Sequence, residues 1–504
     1  MKALLVYPPI QFMDVETPRP DGSLGPLYLA SALERAGVYT DILDASVGAP
    51  GHDLRNTFYR NVRQQNGLTR IGMSFEEIAD YVAKGNYDVV GIHSNFTPQT
   101  NMALETARAI KKASPQTRLF AGGVNARALL GRFLGSGCFE GVCLTDGEIV
   151  LPRAVYDSAV RTPGFAYTRD GENVVNPADA SCFPASLDDL AMPAWHKLAF
   201  DKYDSLSSPH GVDVTSTKGR YAPIMTSRGC PFRCTYCHIS TERGADSYAG
   251  QIGDLRLHSI ERVIKEVDAV KALGVRKVFF EDDSLLAERE RVKKIFRTIA
   301  DRELSISNVN GINLVHLFDR SRPREDGSWS VDGEYLDILR AGGFDQIVFP
   351  VESGSPRILR DYATNKVSLK RMDLVQLMGE MTRRGINAPV NMMMGFPDET
   401  ETEIAESVAL AQRLRDAGAP YVTFFIPIPF PGSKLFSMAL ERGYLPSDFN
   451  PDDFNWKRPV MRNTTVAPER LEELRDAANE SVNSGAHLRK RLEDSIGHRW
   501  TAAE

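Results

Sequence analysis

Hydrophobic and polar positions alternate along the first 150 residues in the manner of short buried strands separated by amphipathic helices. Apolar runs such as KALLVYPP, DVVGIHS and TRLFAGGV have the length of strands, and stretches such as LYLASALERAG and MALETARAIKKA have helical periodicity. Strand, helix and strand joined by short connections predict a parallel sheet with helices on both faces. Because ligands bind such sheets at the carboxyl ends of the strands, we expect the binding edge at residues 94–99, 122–127 and 145–148.

A second alternation begins near residue 221 and continues to residue 435. It contains six strand-and-helix steps, from the strand APIMTS and the helix SIERVIKEVDAVKALG to the final strand YVTFFIPIP. A complete barrel of this kind has eight steps. The pattern therefore predicts an open, partial (βα)6 barrel.

The remaining segments complete the predicted organisation. Residues 164–177 contain an Asp-Gly turn between strand-like runs, which predicts a β-hairpin, and the stretch APERLEELRDAANESVNSGAHLRKRLE predicts a helix near the end. We expect an α/β protein with a doubly wound parallel sheet at 1–177, a linker at 178–220, the partial barrel at 221–435 and a mainly helical segment at 436–504.

Charge and composition restrict the class of partner. Sixty basic residues stand against 66 acidic ones among 504, so no global field attracts nucleic acid or an anionic membrane. The apolar start MKALLVYPPI lacks the basic region and cleavage site of a signal peptide. We expect a cytoplasmic protein that acts on a small molecule, with neither nucleic acid nor membrane as a partner.

Three of the six cysteines lie within eight positions of the segment SRGCPFRCTYCHIS, directly after the first predicted barrel strand. Cys230, Cys234 and Cys237 have the spacing C-x3-C-x2-C, which lets three thiolates bind three irons of a cubane and leaves the fourth iron without a protein ligand. The alternatives are a zinc site completed by His238 and buried thiols without a role. Structural zinc usually takes paired ligands from two places, and no second pair is found, so the spacing favours the cubane.

This loop, with the aromatic Tyr236 before its last cysteine, resembles the signature of radical S-adenosylmethionine (SAM) enzymes. The resemblance covers about residues 221–435 and implies a [4Fe-4S] cluster, bound SAM and an electron donor such as flavodoxin or ferredoxin. In that family the reduced cluster cleaves SAM to methionine and a 5'-deoxyadenosyl radical, which abstracts a hydrogen atom from the substrate.

Three predicted strand ends are similar to the SAM-binding positions of this family. The first has EDD where many members have GGE and corresponds to the methionine ammonium; the second corresponds to the ribose and the third, NMMMGFPDET, to the adenine. The residues so implied are Glu281, Asp282, Asp283, Glu352, Ser353, Asn391, Gly395 and Phe396. Physically, a cationic amine favours carboxylates, and ribose hydroxyls favour an acceptor such as Glu352.

The amino-terminal region is similar to the cobalamin-binding domain that precedes the barrel in one branch of the family. The similarity lies in GPLYLASALERAGVYTDILDA and in the later segments YDVVGIHS, AGGVNA and TDGE. Glycines in such loops let the backbone approach a large flat ligand closely. The residues implied in cobalamin binding are Gly25, Ser94, Asn95, Gly122, Gly123, Asn125, Gly147 and Glu148.

The sequence departs from this branch at Asn125, where the branch commonly has histidine in GG-x-H-A. No D-x-H-x-x-G motif occurs, so no histidine is evident as a lower ligand of cobalt, and we expect His93 to be a packed histidine. These differences leave open a vestigial domain that no longer binds cobalamin. Cys138, Cys143 and Cys182 are spaced too loosely to favour a second cluster, and we expect buried free thiols.

The residues and the resemblance together predict a cobalamin-dependent radical SAM methyltransferase that acts on an unactivated carbon of a small, natural-product-type metabolite. The first alternative is a radical SAM dehydratase, cyclase or rearrangement enzyme whose cobalamin domain is structural. An alternative of another class is a non-catalytic iron-sulfur or corrinoid sensor.

Overall fold

The structure is a computed structural model that describes residues 1–13, 16, 23–206, 219–244, 247–308, 310–321, 323–364, 366–455 and 458–489. Parts of the predicted linker and of the predicted carboxyl-terminal segment therefore lie outside the described residues. The domain limits at 177, 220 and 435 stay predictions. Within the described ranges, no helix has both the length and the hydrophobicity that a bilayer crossing requires.

The amino-terminal region forms one large sheet with helices around it, and a smaller sheet of three short antiparallel strands. Its elements are β1 (Lys2–Tyr7), β2 (Ile10–Phe12), α1 (Leu24–Arg35), β3 (Tyr39–Asp44), β4 (Val62–Arg63), β5 (Thr69–Ile71), α2 (Phe75–Gly85), β6 (Val89–His93), α3 (Thr100–Ala113), β7 (Arg118–Gly122), α4 (Val124–Ala128), α5 (Leu130–Gly135), β8 (Gly141–Cys143), α6 (Gly147–Tyr156), β9 (Phe165–Arg169) and β10 (Glu172–Asn176).

The large sheet has the strand order β10-β9-β8-β7-β6-β1-β3. The five strands from β3 to β8 are parallel, and the predicted hairpin adds β9 and β10 in antiparallel orientation. Asp170 and Gly171 at the hairpin turn have φ of 51° and 83°, which is the left-handed geometry that a two-residue hairpin turn needs.

Both faces of this sheet are covered by helices. In β1, Leu4 and Val6 pack into the core that includes Val82 of α2, whereas Ala3 and Leu5 pack into the core that includes Leu33 of α1. Alternate strand residues point to opposite faces, so a continuous apolar run such as KALLVY is buried on both. The predicted doubly wound sheet is confirmed.

The second region forms the barrel, preceded by the short helix α7 (Phe200–Tyr203) and followed by two helices. Its elements are β11 (Tyr221–Ile224), β12 (Ser227–Arg228), β13 (Arg256–Leu257), α8 (Ile260–Ala272), β14 (Lys277–Phe280), α9 (Arg289–Ile299), β15 (Ser305–Asn308), β16 (Phe318–Asp319), β17 (Ser330–Val331), α10 (Gly333–Ala341), β18 (Phe344–Gln346), β19 (Phe349–Glu352), α11 (Pro356–Asp361), α12 (Leu374–Arg383), β20 (Val390–Met393), α13 (Glu401–Asp416), β21 (Val422–Phe425), α14 (Lys434–Glu441) and α15 (Pro468–Val482).

The barrel wall has six strand positions, as predicted. Strands β11, β14, β15 and β18 pair in parallel, and so do β19, β20 and β21. The fourth predicted strand, QIVFPVES, contains β19 and overlaps β18 only at Gln346. A bridge between Gln346 and Asn387 continues the wall across the break between β18 and β19. The partial (βα)6 barrel is confirmed.

Residues of the barrel strands alternate between the surrounding helices and the interior. In β20, Val390 and Met392 belong to the core under the helices, whereas Asn391 and Met393 line an internal cavity. The helical carboxyl-terminal segment packs on the last strand, where the Asn483 side chain donates to the carbonyl of Val422 and accepts from its N–H, at 2.9 and 2.8 Å. This contact covers a strand edge that would otherwise leave backbone groups unpaired.

Candidate active site between the sheet and the barrel

One cavity of about 1860 Å³ is lined by both regions of the chain. On one side are the carboxyl ends of β6, β7 and β8, and on the other are the cysteine loop and the interior of the barrel. A pocket for a single small molecule usually measures roughly 300 to 1,000 Å³. The cavity therefore has room for more than one ligand.

The cysteine loop is fixed by backbone contacts on both of its flanks. The N–H of Cys230 donates to the carbonyl of Gly253 at 3.1 Å, and the N–H of Thr235 donates to the carbonyl of Tyr362 at 2.8 Å. Gly229, before the first cysteine, has φ of 78°, and a Cβ there would lie 2.3 Å from the carbonyl oxygen of Asp254. Only glycine fits this approach.

All three cysteine side chains of this loop line the cavity. Burial raises the pKa of each thiol, and that of Cys237 to about 12. Among the residues that the structure describes, no group of three or more His, Cys, Asp or Glu side chains converges as it would on a single metal ion. A cubane needs a wider arrangement, because each thiolate binds a different iron, and three thiols on one compact loop fit that donor set.

The three acidic residues after β14 have different surroundings. Glu281 and Asp283 line the cavity, and Asp283 accepts from the N–H of Gly229 at 3.1 Å. Burial raises the pKa of Asp283 to about 6. Asp282 does not line the cavity: it is buried and accepts from Thr226 and Ser227, with the hydroxyls of these residues at 2.7 and 2.6 Å. This carboxylate joins the ends of two strands.

Glu352 lies at the end of β19 with φ of 72°, a strained conformation for a residue with a side chain. Its carboxylate pairs with the ammonium of Lys366, and both residues are buried and line the cavity. The ammonium lies 5.8 Å from the ring centre of Tyr236. Lys366 follows no strand end and belongs to no motif, so sequence reasoning missed it.

The other residues predicted to bind SAM also include some that line the cavity and some that do not. Asn391 lines the cavity, whereas Ser353, Gly395 and Phe396 do not. Ser353 is fully buried and bonds Ser407.

The motif GFPDET forms a tight turn. Glu399 accepts from the N–H groups of Gly395 and Phe396 at 2.6 and 3.1 Å, and Thr400 caps α13. Burial raises the pKa of Glu399 to about 7. The role of these residues toward SAM stays a prediction.

The amino-terminal wall presents glycines and backbone to the cavity. Seven of the eight residues predicted to bind cobalamin line it, namely Gly25, Asn95, Gly122, Gly123, Asn125, Gly147 and Glu148. Gly123 has φ of 104°, and a Cβ there would lie 2.4 Å from both the side-chain oxygen of Asn95 and the carbonyl oxygen of Ser94. Ser94 lies behind this wall and accepts from the side chain of Asn125 at 2.8 Å.

Two buried polar atoms on this wall lack partners among the described residues. The Oδ1 atom of Asn125 and the hydroxyl of Thr145 make no hydrogen bond, although the amide nitrogen of Asn125 donates to Ser94 and Thr100. Buried polar groups normally have partners, so the wall fits a ligand with its own polar groups, as the amide-bearing rim of a corrinoid has. His93 stacks on Tyr7 at 5.0 Å between ring centres, and burial lowers its pKa to about 4.

Ion pairs join the two walls. Arg228, which precedes the cysteine loop, contacts Glu148 at 2.5 Å and Asp146 at 3.2 Å. Arg127 contacts Glu242 at 2.5 Å, and Glu242 contacts His238 at 3.0 Å. Sequence reasoning missed the pairs made by Arg228 and Arg127, because each joins residues about 80 to 115 positions apart.

The three remaining cysteines, Cys138, Cys143 and Cys182, are buried and free. Cys143 lies at the cavity and contacts the carbonyl of Thr145 through its thiol at 3.4 Å. The other two lie away from the cavity.

Comparison with known proteins identifies both regions. The model of the radical SAM superfamily matches residues 224–411, and that of the B12 binding domain matches residues 22–155. The chain thus contains a radical SAM domain preceded by a B12-binding domain.

Relatives share this arrangement over most of their length. Cytidylyl-2-hydroxyethylphosphonate methyltransferase of Streptomyces wedmorensis is 25% identical over 480 residues, which cover 88% of this chain and 82% of the relative. The radical SAM methyltransferase TsrM of Kitasatospora setae, solved with tryptophan and a SAM analogue, has a TM-score of 0.63 at 16% identity and covers 100% of this chain and 89% of its own. The cobalamin-dependent enzyme OxsB, solved with aqua-cobalamin, has a TM-score of 0.66 at 16% identity over 99% of this chain and 71% of its own.

Proposed function

We propose that this protein is a cobalamin-dependent radical SAM methyltransferase that methylates an unactivated carbon of a small, natural-product-type metabolite. The observation that carries the proposal is the single cavity shared by the cysteine loop and the glycine-bearing loops of the B12-binding domain. A methyl carrier and a radical generator must both reach one substrate carbon. A common cavity of this size gives them that access.

The residues divide between three ligands. Cys230, Cys234 and Cys237 would hold the [4Fe-4S] cluster. Glu281, Asp283, Glu352 and Asn391 would contact SAM. The glycines of the amino-terminal wall would face the corrin ring, with the side chains of Asn125 and Thr145 bonding its rim. When bound, these cofactors supply the electron transfer, the radical and the carriage of the methyl group.

The chain's own contribution is to bind, orient and exclude water. Apolar side chains of Met225, Phe232, Met393 and Phe425 line the barrel side of the cavity. They keep solvent from a reactive intermediate and strengthen the polar contacts beside them. The paired charges of Glu352 and Lys366 hold a fixed dipole at the cluster loop without a net charge.

The proposal includes a small one-electron donor protein and a place in the cytoplasm, where a reducing environment keeps thiols free to bind iron. The relatives support a small-molecule substrate. The Streptomyces relative is named for a cytidylyl phosphonate, and TsrM was solved with tryptophan.

The test is anaerobic purification with iron and cobalamin supplied, followed by reduction in the presence of SAM carrying a labelled methyl group. Bound corrinoid, 5'-deoxyadenosine and S-adenosylhomocysteine are measured in one sample. A panel of metabolites that includes tryptophan and the cytidylyl phosphonate is then screened for label.

Corrinoid together with both nucleoside products supports the methyltransferase. Release of 5'-deoxyadenosine without retained corrinoid would favour the dehydratase, cyclase or rearrangement enzyme. A reduced, cluster-loaded protein that leaves SAM intact would favour the sensor.

A further inference from the structure

Two groups of partly or fully buried ion pairs tie the cysteine loop to the B12-binding domain, one on each side of the three cysteines. We name them the Arg228 clamp (Arg228, Asp146 and Glu148) and the Arg127 clamp (Arg127, Glu242 and His238). Both line the cavity. In the Arg228 clamp the arginine belongs to the barrel region and its two carboxylate partners belong to the B12-binding domain. In the Arg127 clamp the arginine belongs to the B12-binding domain and its carboxylate partner belongs to the barrel region.

The Arg228 clamp lies before the first cysteine. The guanidinium bonds Glu148 at 2.5 Å and Asp146 at 3.2 Å, and it stacks over the ring of Tyr28 at 4.9 Å. Asp146 also pairs with Arg256 at 2.8 Å, and β13, which contains Arg256, pairs with β12. Asp146 is the N-cap of α6 and Glu148 lies in its first turn, where the B12-binding domain faces the cavity.

The Arg127 clamp lies after the last cysteine. Arg127 follows the glycine pair at the end of β7, and its guanidinium makes two hydrogen bonds with Glu242, at 2.5 and 3.0 Å. The second carboxylate oxygen also contacts Nδ1 of His238 at 3.0 Å. His238 directly follows Cys237, so this clamp joins the last cysteine to the loop that carries Gly123.

These contacts are more specific than a domain interface requires. Interfaces between domains are usually polar and permit relative motion. A two-point bond between guanidinium and carboxylate fixes orientation as well as distance. The side chains of Arg127, Glu242 and Arg228 are 10%, 14% and 10% exposed, so solvent screens these pairs little.

We propose that the two clamps position the cysteine loop against the corrin-facing loops and thereby set the distance between the cluster and cobalt. Arg127, Glu242, Arg228 and Asp146 are positioning residues, since they act through the loops they join. The proposal rests on the proposed function, because it assigns a role only if both cofactors occupy the cavity.

The test measures the distance between the two cofactors in the full-length holoprotein. The reduced cluster and cob(II)alamin are both paramagnetic, so pulsed electron paramagnetic resonance reports the distribution of their separation. The variants are Glu242→Gln and Asp146→Asn, which keep the side-chain shape and remove one charge from each clamp. The matched control is Glu34→Gln, whose partner Lys197 lies 2.8 Å away and, like Glu34, does not line the cavity.

We expect one narrow distance in the wild type and the control, and a broader or longer distribution in both clamp variants at unchanged iron and corrinoid content. In both clamp variants the ratio of S-adenosylhomocysteine to 5'-deoxyadenosine should also fall. A displacement of about 1 Å can lower a reaction about a hundred-fold. If Glu242→Gln fails to fold, the distribution of distances in Asp146→Asn provides the test, because this variant alters the other clamp.

Two results would overturn the proposal, and they are distinguishable. A wild type that retains the cluster but no corrinoid overturns the proposed function and the clamps with it. A wild type that retains both cofactors, with clamp variants as narrow as the control, overturns the clamps alone.

Discussion

The barrel wall and the amino-terminal wall of the cavity present different kinds of groups to a ligand. The barrel wall presents side chains: three thiols, the carboxylate of Asp283, and the buried pair of Glu352 and Lys366. The amino-terminal wall includes glycines, with Gly122 and Gly123 at the end of β7 and Gly25 in the first turn of α1. A small ligand with charged groups is held by charge and ligation, whereas a large flat ligand needs a smooth surface approached closely. We therefore expect the barrel wall to face the cluster and SAM, and the amino-terminal wall to face cobalamin.

The largest expected effect tests the barrel wall. Replacing Cys230, Cys234 or Cys237 with alanine removes one of the three thiols on the barrel side of the cavity, whereas Cys138 and Cys182 lie away from the cavity. We expect loss of the iron-sulfur absorbance and of all 5'-deoxyadenosine formation, measured with iron and sulfide analysis. The matched change Cys138→Ala should leave iron content unchanged, and equal losses in both variants would contradict the assignment.

Next in size is the buried ion pair of the same wall. Lys366→Met leaves the carboxylate of Glu352 buried without its cation, which costs about 3 to 5 kcal/mol of unfolding free energy. Chemical denaturation of the variant measures this cost. The double variant Lys366→Met with Glu352→Gln should recover most of it. The exposed pair Arg470 and Glu401 is the control, and breaking it should leave the unfolding free energy nearly unchanged.

A pH effect follows from Glu399, in the turn before α13. Its pKa is raised by burial to about 7 from an ordinary 4.5. The fold therefore favours its protonated form, so its contribution to stability is complete below pH 4.5 and is lost as the pH rises through 7. Between these pH values the free energy of unfolding falls by about 3 kcal/mol.

Glu399→Gln should accordingly stabilise the protein at pH 8 and flatten the dependence of unfolding free energy on pH between 4.5 and 7, because the amide keeps the acceptor for the two backbone N–H groups. Thermal unfolding across this range measures it. A variant whose pH dependence matches the wild type would show that another group is responsible.

The smallest effect tests the amino-terminal wall. Gly123→Ala places a Cβ 2.4 Å from Asn95 and Ser94 in a left-handed conformation, which strains the backbone by roughly 1 to 2 kcal/mol or more. We expect corrinoid retention to fall about ten-fold at unchanged iron content. Gly171→Ala, with similar φ and open space around it, is the control for strain alone and should retain corrinoid fully.

Local patterns accounted for much of the fold. The continuous apolar runs predicted strands that are buried on both faces, and the Asp-Gly pair predicted the hairpin that closes the sheet. Helix α2 was missed although its capping box of Ser74 and Glu77 is visible in the sequence. The break between β18 and β19 was missed because only Ile347 and Val348 separate the two strands, and these residues are as apolar as the strand that follows them.

The candidate site was predicted in part. Residues at strand ends could be found because parallel strands bring their carboxyl ends to one edge, and most of those proposed line the cavity. Asp282 and Ser353 could not be separated from their neighbours, because alternate residues of a strand end point to opposite sides and the sequence does not say which side is the cavity.

The sequence by itself determined the two kinds of layered unit and the cysteine loop, because periodicity and spacing are local properties of the chain. Only the tertiary structure decided that these units share one cavity, that Lys366 pairs with Glu352, and that Arg127 and Arg228 join the walls. Such contacts depend on packing between segments far apart along the chain. The sequence around a charged residue does not indicate which residue will pair with it when it is buried.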